Sequence, residues 1–305
     1  MKIAVTCGAT SQRFLAPVEK LLRSSGHEVK RFTLRTGLVS ELDALRQWGA
    51  AAIWHEWCDE FATRVHDLSG IPTVVRLHRY EADTGWPLRV RWSDRCRLVV
   101  TSEHIAKRVT APSVVIPSIV DFDAFPLVDD DVNDTAEVAV VGYLEGRKQP
   151  GLAVAAFKAL RLRPGAEPNG RLRFIGTAKE PFWPKYLEAE RDLVIEPWTE
   201  NVAAVWQTAG VCLSASAAEG CPYNVIEAMA CGAIPLVHYY DGAGEQFPNE
   251  CLWWLPQGAP MALERMIDWR AKDIREWAAE RYSIDANRDT VLNLFKEMEC
   301  ARSSS

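Results

Sequence analysis

Ser214-Ala215-Ser216-Ala217-Ala218-Glu219-Gly220-Cys221-Pro222-Tyr223-Asn224-Val225-Ile226-Glu227-Ala228-Met229-Ala230-Cys231-Gly232 is the stretch on which the fold turns. The apolar run 211–213 ahead of it reads as a strand. A loop with Ser, Glu and Gly follows. Pro222 stands where a first helical residue is preferred, and Gly232 suits the left-handed position that ends a helix. The spacing therefore predicts strand, tight loop and short helix. A helix N-terminus carries unpaired N–H groups and partial positive charge, which suits a diphosphate. Glu227, about one turn in, can accept both hydroxyls of a ribose with its two oxygens. Glu219, on the loop, is placed to reach the group beyond the phosphates. The plainer alternative is a pair of solvated glutamates, and the loop, the proline, the glycine and the small-residue helix weigh against it.

Strand and helix signals alternate on both sides of this stretch. Toward the N-terminus, apolar runs at 2–6, 27–33, 50–54, 73–77, 98–101 and 114–116 read as strands. Between the first two, Leu15, Val18, Leu21 and Leu22 recur at helical spacing before a stop at Gly26. The acidic, turn-rich Asp129-Asp130-Asp131-Val132-Asn133-Asp134 breaks the series. Beyond it, strands at 137–141, 172–175, 193–195, 211–214 and 234–237 alternate with helices near 151–160 and 223–230. Helices at 259–269, 274–282 and 290–298 close the chain. The expectation is an α/β chain of two facing Rossmann-like domains with an interdomain cleft: 1–128, a linker at 129–136, 137–285, and a C-terminal helix at 286–300 packing back on the first domain.

Composition bounds the function. The 305 residues are 48% hydrophobic and 25% charged, as in ordinary globular proteins, and the net charge is -6. That charge gives no basic footprint, which argues against a nucleic-acid partner. No apolar stretch approaches transmembrane length, and the N-terminus turns polar at once instead of continuing as a secretory leader. The eight cysteines are scattered without a C-x-x-C pair, and Cys221 and Cys231 lack a nearby His cluster, so no metal site is expected. Reduced thiols and no export signal together predict a cytoplasmic protein. Arg89, Arg91, Arg95 and Arg97, interleaved with Trp86 and Trp92, could meet an anionic acceptor or a phospholipid surface, although a solvated face is the commoner meaning. His55 and Glu56, at the end of the 50–54 strand, read as a solvated loop. His78 follows the 73–77 strand and precedes a polar turn.

Taken together, Glu-x7-Glu within Glu219-Gly220-Cys221-Pro222-Tyr223-Asn224-Val225-Ile226-Glu227 closely resembles the donor-site signature of retaining glycosyltransferases of family 4, which have the GT-B fold. Val140-Val141-Gly142-Tyr143-Leu144-Glu145-Gly146-Arg147-Lys148 resembles the family's strand–Gly–loop, whose Arg and Lys hold the diphosphate. Pro72-Thr73-Val74-Val75-Arg76-Leu77-His78 resembles its N-domain strand ending in an active-site His. Val100-Thr101-Ser102 and Val115 to Asp121 resemble later landmarks, and the letters of Asp121-Phe122-Asp123 fall in the family's Val-Asp turn, so they are not taken as a metal-binding pair. The resemblance implies a metal-independent hexosyltransferase without a cofactor. It would move a sugar from a UDP-, GDP- or ADP-sugar to a glycan, lipid-linked sugar, small molecule or protein, with peripheral membrane contact open. Glu219 and His78 would be catalytic. Gly8, Gly142, Tyr143, Arg147, Lys148, Gly220, Cys221, Tyr223, Asn224 and Glu227 would hold the donor. Tyr143 occupies the place of the family's diphosphate Arg, and Arg147 is expected to supply that charge. The turn Cys7-Gly8-Ala9-Thr10 lacks a second Gly, and Ser118 replaces a common Asn. A sugar-nucleotide epimerase or phosphorylase, and a non-catalytic sugar-nucleotide binder, are the alternatives.

Overall fold

The computed structural model describes residues 1–8, 14–34, 39–128, 137–162 and 170–303. They divide into two compact units, Met1–Val120 with Arg281–Ser305, and Asp121–Glu280. The sequence had placed these borders at 128 and 285; the expected linker at 129–136 lies outside the described residues.

The first unit is built on a six-stranded parallel sheet in the order β2-β1-β3-β4-β5-β6. Its strands are β1 (Lys2–Cys7), β2 (Glu28–Thr33), β3 (Ala52–Glu56), β4 (Thr73–Leu77), β5 (Cys96–Val100) and β6 (Ser113–Val115). Between them run helices α1 (Leu15–Ser24), α2 (Val39–Trp48), α3 (Ala62–Ser69) and the single turns α4 (Arg79–Ala82) and α5 (Glu103–Ala106). β3 and β4 are buried at every residue, which is why they read as short continuous runs without alternation.

The second sheet is also six-stranded and parallel, ordered β12-β11-β10-β7-β8-β9. It contains β7 (Val138–Val141), β8 (Leu172–Ile175), β9 (Leu193–Glu196), β10 (Val211–Ser214), β11 (Ile234–His238) and β12 (Leu252–Trp253). Its helices are α6 (Pro150–Arg161), α7 (Phe182–Glu188), α8 (Val202–Trp206), α9 (Tyr223–Cys231), α10 (Ala243–Gln246) and α11 (Gly258–Met266). α12 (Ala271–Tyr282) runs across the border at 280, and α13 (Ile284–Ser303) belongs to the first unit.

α13 is twice as long as the 290–298 stretch suggests. Val291, Leu294, Phe295 and Met298 lie on one face at 3–4-residue spacing and enter the core formed by Ile3, Val5, Leu15, Val18, Leu21 and Leu22. Arg288 fastens it by donating from Nη1 to the hydroxyls of Ser24 and Ser25, each at 2.9 Å. Where the chain returns to this unit, the N–H of Val120 donates to the carbonyl of Tyr282 at 2.8 Å.

Two glycines set the second unit's loops. Gly232 takes the left-handed conformation (φ 89) that ends α9, as its place in the sequence predicts. The helix starts at Tyr223 as expected, but Pro222 is its extended N-cap (ψ 107) and not a first helical residue. The carbonyl of Pro222 already accepts from the N–H groups of Val225 and Ile226, which is what a cap residue does while staying outside the helix. After β8, a Cβ on Gly176 would stand 1.8 Å from the carbonyl oxygen of Gly142. Gly176→Ala is therefore expected to destabilise by at least about 2 kcal/mol, because backbone and not a flexible side chain blocks it. A urea unfolding midpoint equal to that of the parent would show that the two loops can separate freely.

Candidate active site

In the second unit, β7 and β10 are paired neighbours, so the loops leaving their carboxyl ends meet. The N–H of Ala217 donates to the carbonyl of Arg147 at 2.9 Å, and Asn224 Nδ2 to that of Val141 at 3.0 Å. The β7 loop passes through Gly142 (φ 144), where an L side chain is strained, and a Cβ there would sit 3.5 Å from Lys148 Cε. It ends in a 3-10 turn, Gly146–Lys148, followed by left-handed Gln149 at the start of α6.

This geometry brings Glu219, Arg147 and Lys148 together. Glu219 Oε1 accepts from Lys148 Nζ at 2.6 Å and from Arg147 Nη1 at 2.7 Å. Arg147 spends its other contacts on the carbonyl of Ala218 (3.1 Å) and, through Nη2, on Glu145 Oε1 (2.7 Å). The Glu219 side chain is 12% exposed. Burial pushes its carboxyl pKa up, but the Lys148 and Arg147 cations together with a Ser216 hydrogen bond outweigh it and hold the group at about 2. Arg147 shows the reverse balance: burial lowers it, and Glu219 and Glu145 raise it above its ordinary value. The result is a cradle of two cations already spoken for by carboxylates.

Around the cradle, Gly220 is buried, Cys221, Tyr223 and Asn224 are half-buried, and Glu227 is buried one turn into α9. Tyr143 stands half-exposed, with the Lys179 ammonium 3.9 Å from its ring centroid. The sequence named Glu219, Arg147 and Lys148 separately, and the fold joins them. It gave no sign of Glu145 or Lys179, whose roles depend on which loops become neighbours.

Gly8 and His78 belong to the first unit, at the carboxyl ends of β1 and β4. A Cβ on Gly8 would lie 3.4 Å from Asp59 Oδ2. The N–H of His78, which caps α4, donates to Glu81 Oε2 at 3.0 Å. Burial pushes the Glu81 carboxyl up to about 8. His78 Nε2 lies 2.6 Å from Glu56 Oε1. Its ring stacks on Trp57 at 4.2 Å and touches Phe14 at 4.9 Å. Trp57 holds φ 81, a strained value for a bulky side chain.

The solvated-loop reading of His55 and Glu56 is wrong: both are fully buried. They are the last two residues of β3, an interior strand, so neither side of the sheet exposes them. His55 Nδ1 meets the Thr6 hydroxyl at 2.8 Å and its Nε2 meets Asp59 at 3.2 Å. Glu56 Oε2 accepts from Trp54 Nε1 at 2.8 Å, and Arg76 Nε lies 3.8 Å from Glu56 Oε1. Burial would raise the Glu56 pKa, but Arg76, and after it the His78 contact, keep it below the ordinary carboxylate value. Burial lowers that of His78, which favours a neutral ring beside an ionised Glu56. Arg76 Nη2 donates to the carbonyl of Pro117 at 2.8 Å, fixing the end of β4 to the loop after β6.

Two parallel α/β units, one with a cation-rich loop pair at the carboxyl ends of its strands, form the plan of the GT-B glycosyltransferases. The chain belongs to the glycosyl transferases group 1 family, whose model matches residues 129–282, just over half of it. No curated protein matches the sequence. Among solved structures, Anabaena Alr3699/HepE in complex with UDP-glucose is similar at TM-score 0.71 and 14% identity, with 100% of each chain covered. A Rickettsia africae glycosyltransferase is similar at TM-score 0.74 and 12% identity over 97% of this chain and 98% of that one. Sucrose-phosphate synthase from Thermosynechococcus elongatus is similar at TM-score 0.72 and 16% identity over 99% and 100%. Among the described residues no helix is long and apolar enough to cross a membrane.

Proposed function

We propose that this chain is a retaining glycosyltransferase that moves a sugar from a UDP-sugar to an acceptor hydroxyl without requiring a metal ion. The observation that carries the reading is the meeting of Glu219 with Lys148 and Arg147 beside the N-terminus of α9. In the reaction, the bond from the anomeric carbon to the leaving phosphate oxygen breaks, and the acceptor oxygen bonds to the same face. The acceptor's proton passes to the leaving phosphate oxygen. Negative charge grows on the diphosphate, and Lys148, Arg147 and the α9 N–H groups stabilise it. Glu219 then turns from the cations to the sugar, where its anionic carboxylate supports the cation-like ring. Glu227 holds the ribose hydroxyls. The UDP-glucose bound by the similar Anabaena Alr3699/HepE supports uracil as the base.

The test is nucleotide release from UDP-, GDP- and ADP-glucose with a panel of glycan and lipid-linked acceptors, with the product anomer assigned by NMR. Acceptor-dependent UDP release and a retained α-anomer are the expected results. Donor conversion without an acceptor would indicate an epimerase. Thermal stabilisation by UDP-glucose without release would indicate a binder.

Arg147→Ala and Lys148→Ala are each expected to weaken UDP binding about tenfold or more, the loss of a charge-assisted contact to phosphate. Calorimetric titration measures this. An Arg147→Ala protein that binds like the parent would remove Arg147 from the diphosphate site and leave Lys148 alone.

A further inference from the structure

The loops after β7 and β8 are tied into one surface. The N–H of Leu144 donates to the carbonyl of Thr177 at 3.0 Å, and the N–H of Lys179 to the carbonyl of Leu144 at 3.1 Å. Gly142 and Gly176 approach closely at the start of the same two loops. This carries Lys179 to Tyr143, whose ring lies 3.9 Å from the ammonium. It also sets Lys179 Nζ 3.5 Å from Glu145 Oε2, while the other oxygen of that carboxylate holds Arg147. Glu180, the adjacent acid, is turned elsewhere: it accepts from the N–H of Gly146 at 3.0 Å and from Trp183 Nε1 at 2.9 Å.

The three cations of this surface thus differ. Arg147 and Lys148 each donate short hydrogen bonds to carboxylates. The Lys179 ammonium makes none among the described residues; its nearest carboxylate is at the outer limit of hydrogen bonding, and its side chain is 52% exposed. An aromatic face attracts a cation through its quadrupole without cancelling its charge or using its N–H donors. Tyr143 therefore positions Lys179 and leaves it able to bind an anion, next to the loop that carries Arg147.

We propose that Lys179 is a third binding residue for the donor's diphosphate, placed by the ring of Tyr143 and by the Glu145 carboxylate it shares with Arg147. This rests on the sugar-nucleotide reading above and names a contact within it.

The experiment titrates UDP, GDP, ADP and uridine into the full chain and into Lys179→Met, Lys179→Arg and Tyr143→Leu. Lys179→Met keeps the stem against the ring and removes the charge. It is expected to weaken the nucleoside diphosphate that the parent binds about tenfold, and Lys179→Arg to stay within about twofold, because charge is the quantity removed or kept. Uridine binding is expected to be unchanged in both. Tyr143→Leu, which retains the cation but loses its platform, is expected to fall between them. Equal diphosphate affinity in the parent and Lys179→Met overturns the proposal, as does an equal loss for uridine, which would signal a general distortion. A parent that binds none of the three diphosphates instead overturns the sugar-nucleotide reading, and the Lys179 assignment falls with it.

Discussion

Glu219→Gln is expected to reduce sugar transfer about 100- to 1000-fold, the scale of losing a charged group aimed at a transition state, while binding UDP at least as tightly as the parent. The two effects part because, in the proposed reaction, the carboxylate has two employments. At rest it neutralises Lys148 and Arg147 at 2.6 and 2.7 Å, so an incoming diphosphate competes with it for both cations. The amide keeps the shape but carries no charge, which leaves the cations to the diphosphate and the sugar without its anion. The acid response follows from the same contacts. With its folded pKa held near 2 against an ordinary 4.5, Glu219 adds stability at pH values above about 4.5 and loses it as the pH falls toward 2. Glu219→Gln is expected to lack that increment at neutral pH and to lose less on acidification. Transfer assays, UDP calorimetry and melting curves at pH 7 and pH 3 supply the readouts. If UDP affinity dropped in step with transfer, Glu219 would be a brace for the loop and not a participant.

The second large effect belongs to the other unit. Glu56→Ala is expected to destabilise the protein by about 3–5 kcal/mol, since it strands a buried cation without its counter-charge. Arg76 is fully buried, and neither its Nε nor its Nη1 has a hydrogen-bond partner. Glu56 is the carboxylate at 3.8 Å that balances it. Replacing both partners with apolar residues, Glu56→Leu with Arg76→Met, is expected to recover much of the loss, because no buried charge is then left alone. Urea unfolding of the two single variants and the double variant measures the coupling. A Glu56→Ala protein as stable as the parent would mean that the Arg76 charge is balanced by other groups.

What the sequence revealed was the local part of the design. Gly232, with Pro222 close by, punctuates α9 within a few residues of itself, so its borders could be read almost to the residue. The interior strands announced themselves as short apolar runs. α2 and α3 did not, because each buries only two side chains, Leu42 and Leu45 in one and Ala62 and Val65 in the other, and the apolar stripe is too thin to stand out. The candidate site divided the same way. Glu219, Arg147 and Lys148 sit in recognisable stretches, but their mutual contacts span some 70 residues of chain. Glu56 and His55 looked like surface because charge at a strand end usually is; only the placement of β3 between β1 and β4 buries them. The pairing of Lys179 with Tyr143 likewise comes from β7 and β8 being sheet neighbours, which no spacing of letters records.

The return of the chain into its first unit also sets an order of assembly. On the ribosome, residues 1–120 emerge before α13, and their core lacks Val291, Leu294, Phe295 and Met298 until that helix has been made. The 121–280 unit is continuous in sequence, so all of it is made before α13 is. The expected order is therefore the reverse of the usual one, in which the leading domain folds first. Until α13 arrives, the apolar surface around Ile3, Val5, Leu15 and Leu22 is left uncovered, and it is expected to be a site of aggregation in the nascent chain.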